Sequence, residues 1–442
     1  LFLVKTSPNY FHIMQRGGDD FLIMKDATST DQPSIMTTAK LRDPASFYHM
    51  VFVYDSPNSA AADRMQIWIN GERQSVTANA YDVPQDRVSL AFTAETHSFS
   101  GDMAYCAGLM SDIYGIDGQA LTPTSFAEED ATTGQWKPKA FSGTYGTNGF
   151  HLDLEDDSVT SGSNAGIGKD VSGNGNYFNT TNLAASDVMG DTPTENHCVY
   201  NSVFSGLLAP TSVYGGLSEG NLKYTYNFPN ELGTVRGTFD AMSFASYWEI
   251  EANTTSVVGG VESEGGTANT VSITNGSTFG FRLSAAGALD YTSDGSSWTS
   301  IATGLSGVQF PYVTGGSTTA NFGQSTLSYS VPSGYAVLST AGMTATIAKP
   351  SAHFNTLTYA SSGAKTGVGF QPDLVWVKAR GDTYDHELTD SVRGVTKALS
   401  SNATNVESTD STGLTVFGTD GFTVGAGLNY STSSMVAWSW KQ

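Results

Sequence analysis

"RMQIWINGER", residues 64–73, carries the reading of the whole chain in ten letters. Met65, Ile67 and Ile69 fall on one face of an extended segment, and Gln66, Trp68 and Asn70 on the other, because successive strand side chains point to opposite sides. Asn70-Gly71 then supplies two residues that tolerate positive φ, which a two-residue hairpin corner requires. A half-buried strand closed by such a corner predicts antiparallel sheet. The pattern recurs down the chain. "SYWEIEA" (246–252) sets Trp248 and Ile250 against Glu249 and Glu251. "SMVAWSWKQ" (434–442) alternates Val436, Trp438 and Trp440 with Ala437, Ser439 and Lys441, so this last strand is expected to lie inside a sheet.

Composition agrees. Of 442 residues 48 are glycine, aromatics reach 11%, and charged residues are only 14%, against about 25% in an average protein. Long charged helices are therefore excluded, and short strands joined by tight turns are expected. One helical turn is predicted after Thr122 as N-cap, with Pro123 at the first helical position and Glu128-Glu129 following. Residues 156–200 are poor in apolar side chains and read as a long decorated loop region. The expected fold class is all-β: three β-sandwich domains in series, of jelly-roll or concanavalin-A-like type, over residues 1–200, 201–345 and 346–442.

Forty-two acidic residues against 21 basic ones give a net charge of −21, which repels nucleic acid and anionic lipid at long range. No apolar run approaches the ~18 residues of a membrane-spanning helix. Cys106 and Cys198 are too far apart for a metal motif and leave one disulfide or two core thiols open. The opening "LFLVKTSPNYFHIM" has neither an initiator Met nor the regions of a signal peptide, and reads as a segment of a longer polypeptide whose anchor lies elsewhere.

Three stretches carry resemblances. "FYHMVFVYD…DRMQIWINGER", then "FSGDMAYCAGLMSDIYGIDGQALTPTSF" and "KDVSGNGN", resemble the laminin-G-like, concanavalin-A-like superfamily over roughly residues 40–200. "SYWEIEA" and "FPYVTGGSTTANFGQSTLSYSVPSGYAVL" (310–338) resemble a SPRY-type sandwich. "GFQPDLVWVKAR…DHELTDSVRG…LSSN…DGFTVG…VAWSWK" resembles a C-terminal module of virion proteins of tailed bacteriophages, where it follows laminin-G-like and SPRY-like modules in this order. The resemblance implies a virion fibre protein on the outer surface of the particle, at the tail or on the capsid. It also implies a homotrimer, with other virion proteins and a host surface glycan or receptor as partners.

Asp385, His386, Glu387 and Asp390 crowd one stretch, but neighbours in a strand face opposite ways, so His386 cannot converge with both flanking acids; Asp390 with Arg393 fits a turn ion pair. Asp153 and Glu155 in "LDLEDD" would share a strand face, as a glycosidase acid pair of the concanavalin-A-like class must. Asp170, Ser172 and Asn174 place oxygens like the first half of a calcium loop, although Thr181 stands where the twelfth-position acid belongs, and a plain Asx/Gly turn competes. Trp68, Tyr291 and Trp298 could stack on sugar rings, with core packing as the competing role. No nucleophile elbow or metalloprotease motif occurs. The expectation is a non-enzymatic surface protein without a required cofactor, and a glycan hydrolase is the alternative.

Overall fold

The alternation of residues 65–69 survives folding. In the computed structural model Met65, Ile67 and Ile69 are buried, at 3%, 0% and 8% exposure, while Gln66 and Trp68 face outward. Asn70 and Gly71 take φ of 49° and 83°, closing the corner as two left-handed residues. The structure describes residues 2–6, 9–15, 22–28, 30–41, 43, 46–78, 83–93, 96–99, 109–202, 215–226, 233–343, 347–428 and 434–442. Among these the chain is all-β, and its helical segments are single 3₁₀ turns of three residues.

Two compact units divide the chain: Leu1–Glu128 with Lys137–Thr344, and Glu129–Trp136 with Ala345–Gln442. The first contains two apolar cores. One is closed by a six-stranded sheet, ordered Val76–Ala78, Ser34–Thr37, Leu22–Ala27, Asn9–Gln15, Phe2–Thr6, Thr96–Phe99, and a three-stranded sheet of Met50–Tyr54, Met65–Ile69 and Glu72–Arg73. Phe11, Leu22, Met24 and Ile35 of the larger sheet meet Met65, Ile67 and Ile69 of the smaller.

The other core lies under a sheet ordered Gly215–Ser218, Lys223–Tyr226, Thr318–Asn321, Ser246–Ala252, Thr278–Leu283, Leu289–Thr292, Thr299–Ala302. Ala336–Val337 adds to Ser246–Ala252 in parallel. The facing sheet is Gly233–Arg236, Gln309–Gly315, Val257–Ser263, Ala268–Ile273. Trp248, Ile250, Phe279, Phe281 and Leu283 pack against Val235, Val257, Val261 and Val313, the interdigitation that a sandwich requires. Cys198, Val199 and Tyr200, at the end of the long loop region, enter this core. Cys198 is fully buried, which raises its thiol pKa to about 11, the behaviour of a core thiol. Cys106 lies outside the described residues.

The C-terminal unit repeats the plan with a sheet ordered Phe354–Tyr359, Met435–Trp440, Leu374–Ala379, Glu387–Asp390, Lys397–Ser400, Ser408–Thr409, facing a three-stranded sheet of Gly363–Thr366, Gly421–Val424 and Leu414–Gly418. The final strand pairs on both sides, with Phe354–Tyr359 and with Leu374–Ala379, so it lies inside the sheet as its alternation predicts.

The predicted helix start is one 3₁₀ turn, Pro123–Ser125, and Glu128 and Glu129 belong instead to the strand Ala127–Glu129. Thr122 makes no capping bond and meets the Thr124 hydroxyl at 2.9 Å. Residues 153–202 hold no strand and only isolated bridges, as the loop reading expected.

Candidate functional site

Sheet register decides which candidate side chains share a face. On Thr278–Leu283, Phe279, Phe281 and Leu283 point into the core, so Gly280 and Arg282 point out. Arg282 lies across from Tyr247 on one neighbouring strand and Asp290 on the other, and side chains directly opposite one another share a face. Phe281 lies opposite Tyr291, so Tyr291 turns inward and stacks on Phe279 at 5.4 Å with 4° between the rings. Trp298 lies against the outward Arg282, its ring centroid 4.2 Å from the guanidinium carbon. The two aromatics that flank "TSDGSS" are therefore on opposite faces of the sheet, and Tyr291 is a packing residue.

Much of that outer face is covered by the chain itself. Glu249, only 2% exposed, points out from Ser246–Ala252 and receives three hydrogen bonds at 2.8 Å, from the Tyr247 hydroxyl, Ser328 N and Tyr329 N. Tyr329 in turn donates to Thr278 O at 3.0 Å and Ser293 O at 2.9 Å. The segment around Ser328 and Tyr329 is thus strapped over the sheet by one buried carboxylate, on the face opposite Trp248 and Ile250. Burial beside that carboxylate raises the Tyr247 hydroxyl pKa well above its ordinary value. Gly295 makes room for the strap, since a Cβ there would meet the Tyr329 ring at 2.7 Å. At the end of the strap Tyr335 approaches Arg282, with its ring centroid 5.5 Å from the guanidinium carbon. Arg282 is held by Asp290, whose Oδ2 accepts from Nε at 3.0 Å and Nη2 at 2.9 Å. Arg282, Asp290 and Tyr335 are the members of this cluster that sequence reasoning missed. The outward parity of Arg282 and Asp290 was the signal that could have found them.

Trp68 does face away from its core and donates its indole N–H to Gln66 at 3.0 Å. The Asp170 loop is a cross-braced turn. Oδ1 accepts from His151 N and Ser172 N, both at 2.9 Å, and Oδ2 accepts from the Ser172 hydroxyl at 2.9 Å and Asn176 N at 2.8 Å. Burial opposes ionisation, yet these four donors hold the carboxyl below the usual range. Asn174 turns its amide to Gly146 O and Gly149 O, at 2.7 and 2.9 Å. Donors thus occupy both Asp170 oxygens where a calcium ion would have to sit. Among the described residues no three His, Cys, Asp or Glu side chains gather so as to hold a metal ion. The expected pairing of Asp153 and Glu155 fails for a backbone reason. The strand ends at Leu152, and Leu154 takes φ of 61°, so the two acids do not share a strand face.

In the C-terminal unit the outer face stays open. Phe354 lies opposite Trp440, and Trp438 opposite Trp376, across three adjacent strands. Phe354 and Trp440 are 5.1 Å apart, and Trp376 and Trp438 5.4 Å. Phe354 is 42% exposed and the tryptophans are partly exposed. His386 adds a ring 5.8 Å from Trp376. Glu387 faces the other way, opposite the buried Val377, so the His386 and Glu387 side chains do diverge. Glu387 Oε1 and Asp410 Oδ2 both lie beside Gly413, where an added Cβ would sit 3.2 and 3.4 Å from them. Burial first, and the Asp410 charge second, raise Glu387 to about 7. Asp390 accepts from Arg393 Nε at 2.6 Å and Arg393 N at 2.8 Å, the turn ion pair expected from the sequence.

Fold and surface together describe an all-β chain with sandwich cores and aromatic side chains on two outer sheet faces. Residues 349–442 match a family model described as a domain of unknown function, DUF7483. No curated protein matches the chain. Solved structures similar to it include the crystal structure of the TRIM65 PSpry domain, at 16% identity, covering 28% of this chain and 88% of that one with a TM-score of 0.22. Among the described residues no helix is long and apolar enough to cross a membrane.

Proposed function

We propose that the chain is a non-enzymatic structural protein of a tailed-phage virion, a tail fibre or fibre-like appendage that contacts a glycan or envelope protein of the host surface. The observation that carries this reading is the row Phe354, Trp440, Trp438 and Trp376, raised on one face of a sheet whose other face closes over its own core. Contiguous partly exposed aromatics on a rigid scaffold are a contact surface. The acids support a scaffold role. Asp294 is held well below the usual carboxylate range, chiefly by the backbone amides of Ser297 and Ser296, and Asp420 by those of Gly367 and Gly369. Carboxylates engaged in this way fix turns. The virion assignment rests on the order of the three resemblances along the sequence. A homotrimer would multiply weak contacts by avidity.

The test uses virions that carry this chain and the purified chain itself. Cryo-electron microscopy with a labelled antibody should find it on the tail or the outer surface, and excess purified chain should compete with adsorption. Capsid labelling without competition would instead make it a head decoration. Release of reducing sugar from host glycans would overturn the non-enzymatic reading.

A further inference from the structure

The outer face of the Ser246–Ala252, Thr278–Leu283, Leu289–Thr292 sheet retains a polar cluster that its own strap does not cover. Arg282 is 25% and Asp290 18% exposed at the side chain, and Trp298 and Tyr335 are partly exposed. Among the described residues Arg282 Nη1, Trp298 Nε1, the Tyr335 hydroxyl and Asp290 Oδ1 make no hydrogen bond, and none of these atoms is sealed from solvent. Three donors and one carboxylate acceptor are thus left unused beside an indole ring.

We infer that Trp298, Arg282, Asp290 and Tyr335 form a binding site for a neutral hexopyranose, which would make this face a second host contact. The idea rests on the surface-contact reading only in taking the ligand from a cell-surface glycan. Adjacent sugar hydroxyls each donate and accept, and the Arg282–Asp290 pair keeps one unused donor nitrogen, Nη1, and one unused acceptor oxygen, Oδ1. The Arg282 guanidinium already covers one face of the indole, 4.2 Å from its centroid, so the rest of the partly exposed ring is what the C–H face of a sugar can pack on, and the Tyr335 hydroxyl adds a third polar contact.

Charge selects the neutral class. Asp290 already balances Arg282, and a chain of net charge −21 repels anionic sugars at long range. The cluster is also preorganised. Arg282 is fixed by two bonds to Asp290, and the strap that carries Tyr335 is anchored on Glu249. Little ordering therefore remains to be done on binding.

The full chain is titrated with the methyl glycosides of glucose, galactose and mannose and with glucuronate and galacturonate, read by saturation-transfer NMR and calorimetry. At least one neutral glycoside should bind more tightly than either uronate. Trp298→Ala and the isosteric Asp290→Asn should each weaken it roughly tenfold or more. Asp290→Asn keeps the side-chain volume, so it remains informative if Trp298→Ala fails to fold. Uronates binding as well as neutral sugars, unchanged affinity in Asp290→Asn, or no binding of any neutral glycoside at millimolar concentration would overturn the site. If purified Asp290→Asn chain loses sugar binding yet still competes with host adsorption, the sugar site stands but its role as a host contact fails, while the surface-contact proposal stands. If the unaltered chain binds sugar yet does not compete with adsorption, the site stands and the surface-contact proposal fails.

Discussion

Two sheets of this chain handle their outward faces in opposite ways. In the sandwich around Trp248 the outer face is crossed by the segment around Ser328 and Tyr329, drawn down by the carboxylate of Glu249, and the Arg282 cluster remains open. In the C-terminal unit Lys378 and Asp390, charges on the equivalent face, bond within a few residues of themselves, and the face carries Phe354, Trp440, Trp438 and Trp376. The inner faces follow one rule, buried and mostly apolar residues at every second position. The difference shows that the outer face of a sandwich is where sequence variation turns one scaffold into a sealed or an open surface. A buried carboxylate with three donors organises a strap, whereas a row of rings leaves area for something outside the chain.

The strap is the point at which this comparison breaks most readily. Glu249→Ala orphans the Tyr247 hydroxyl and the amides of Ser328 and Tyr329, and should cost about 3 kcal/mol or more, because removing one partner of a buried charged network leaves the others unsatisfied. Urea denaturation followed by tryptophan fluorescence measures it, with amide exchange at 326–330 reporting release of the strap. A cost under about 1 kcal/mol would mean that the segment is held by apolar packing alone.

A second test sharpens the contrast between the two glutamates. Among the described residues Glu387 has no donor on its carboxyl and has Asp410 beside it, so it retains its proton to about pH 7 in the fold. A raised carboxyl pKa means that the folded state binds more protons than the unfolded state between the ordinary value of 4.5 and about 7. Stability must therefore fall as pH rises through that window. The loss should reach about 1–2 kcal/mol by pH 8, after allowance for partial exposure. Glu387→Gln should flatten the profile and stabilise the protein at pH 8. Thermal melts from pH 4.5 to 8 check both, and an unchanged slope in the variant would assign the pH dependence to other groups.

The smallest stability effect is expected at the open face. Trp438→Thr replaces a partly exposed ring with a good strand former and should change stability by about 1 kcal/mol or less. It should nonetheless reduce competition for host adsorption severalfold. Equal losses of stability and adsorption would mark the row as part of the core, and the contrast between the two faces would disappear.

Legibility in the sequence followed the same division. The alternations at 65–69, 246–252 and 434–442 sorted side chains between the two strand faces correctly, because period two is local and needs no partner to be read. The Asn70-Gly71 corner and the Asp390–Arg393 turn pair were equally local. For Tyr291 and Trp298 the choice between sugar stacking and core packing was not legible, since the turn between them sends Tyr291 into the core and Trp298 to the outer face. Asp153 and Glu155 were lost to one left-handed residue, Leu154, which no pattern announces.

By itself the sequence determined an all-β chain, the division of its strand residues between two faces and the places where it turns, because those follow from side-chain alternation and from the φ that Asn and Gly permit. Only the tertiary structure decided that Glu249 is buried beneath a strap arriving from 80 residues away. The same holds for the meeting of Arg282 with Trp298 and Tyr335, and for the proton that Glu387 keeps. Each depends on groups distant in sequence brought within a few ångströms, where desolvation and hydrogen bonding act, and no local pattern encodes that proximity.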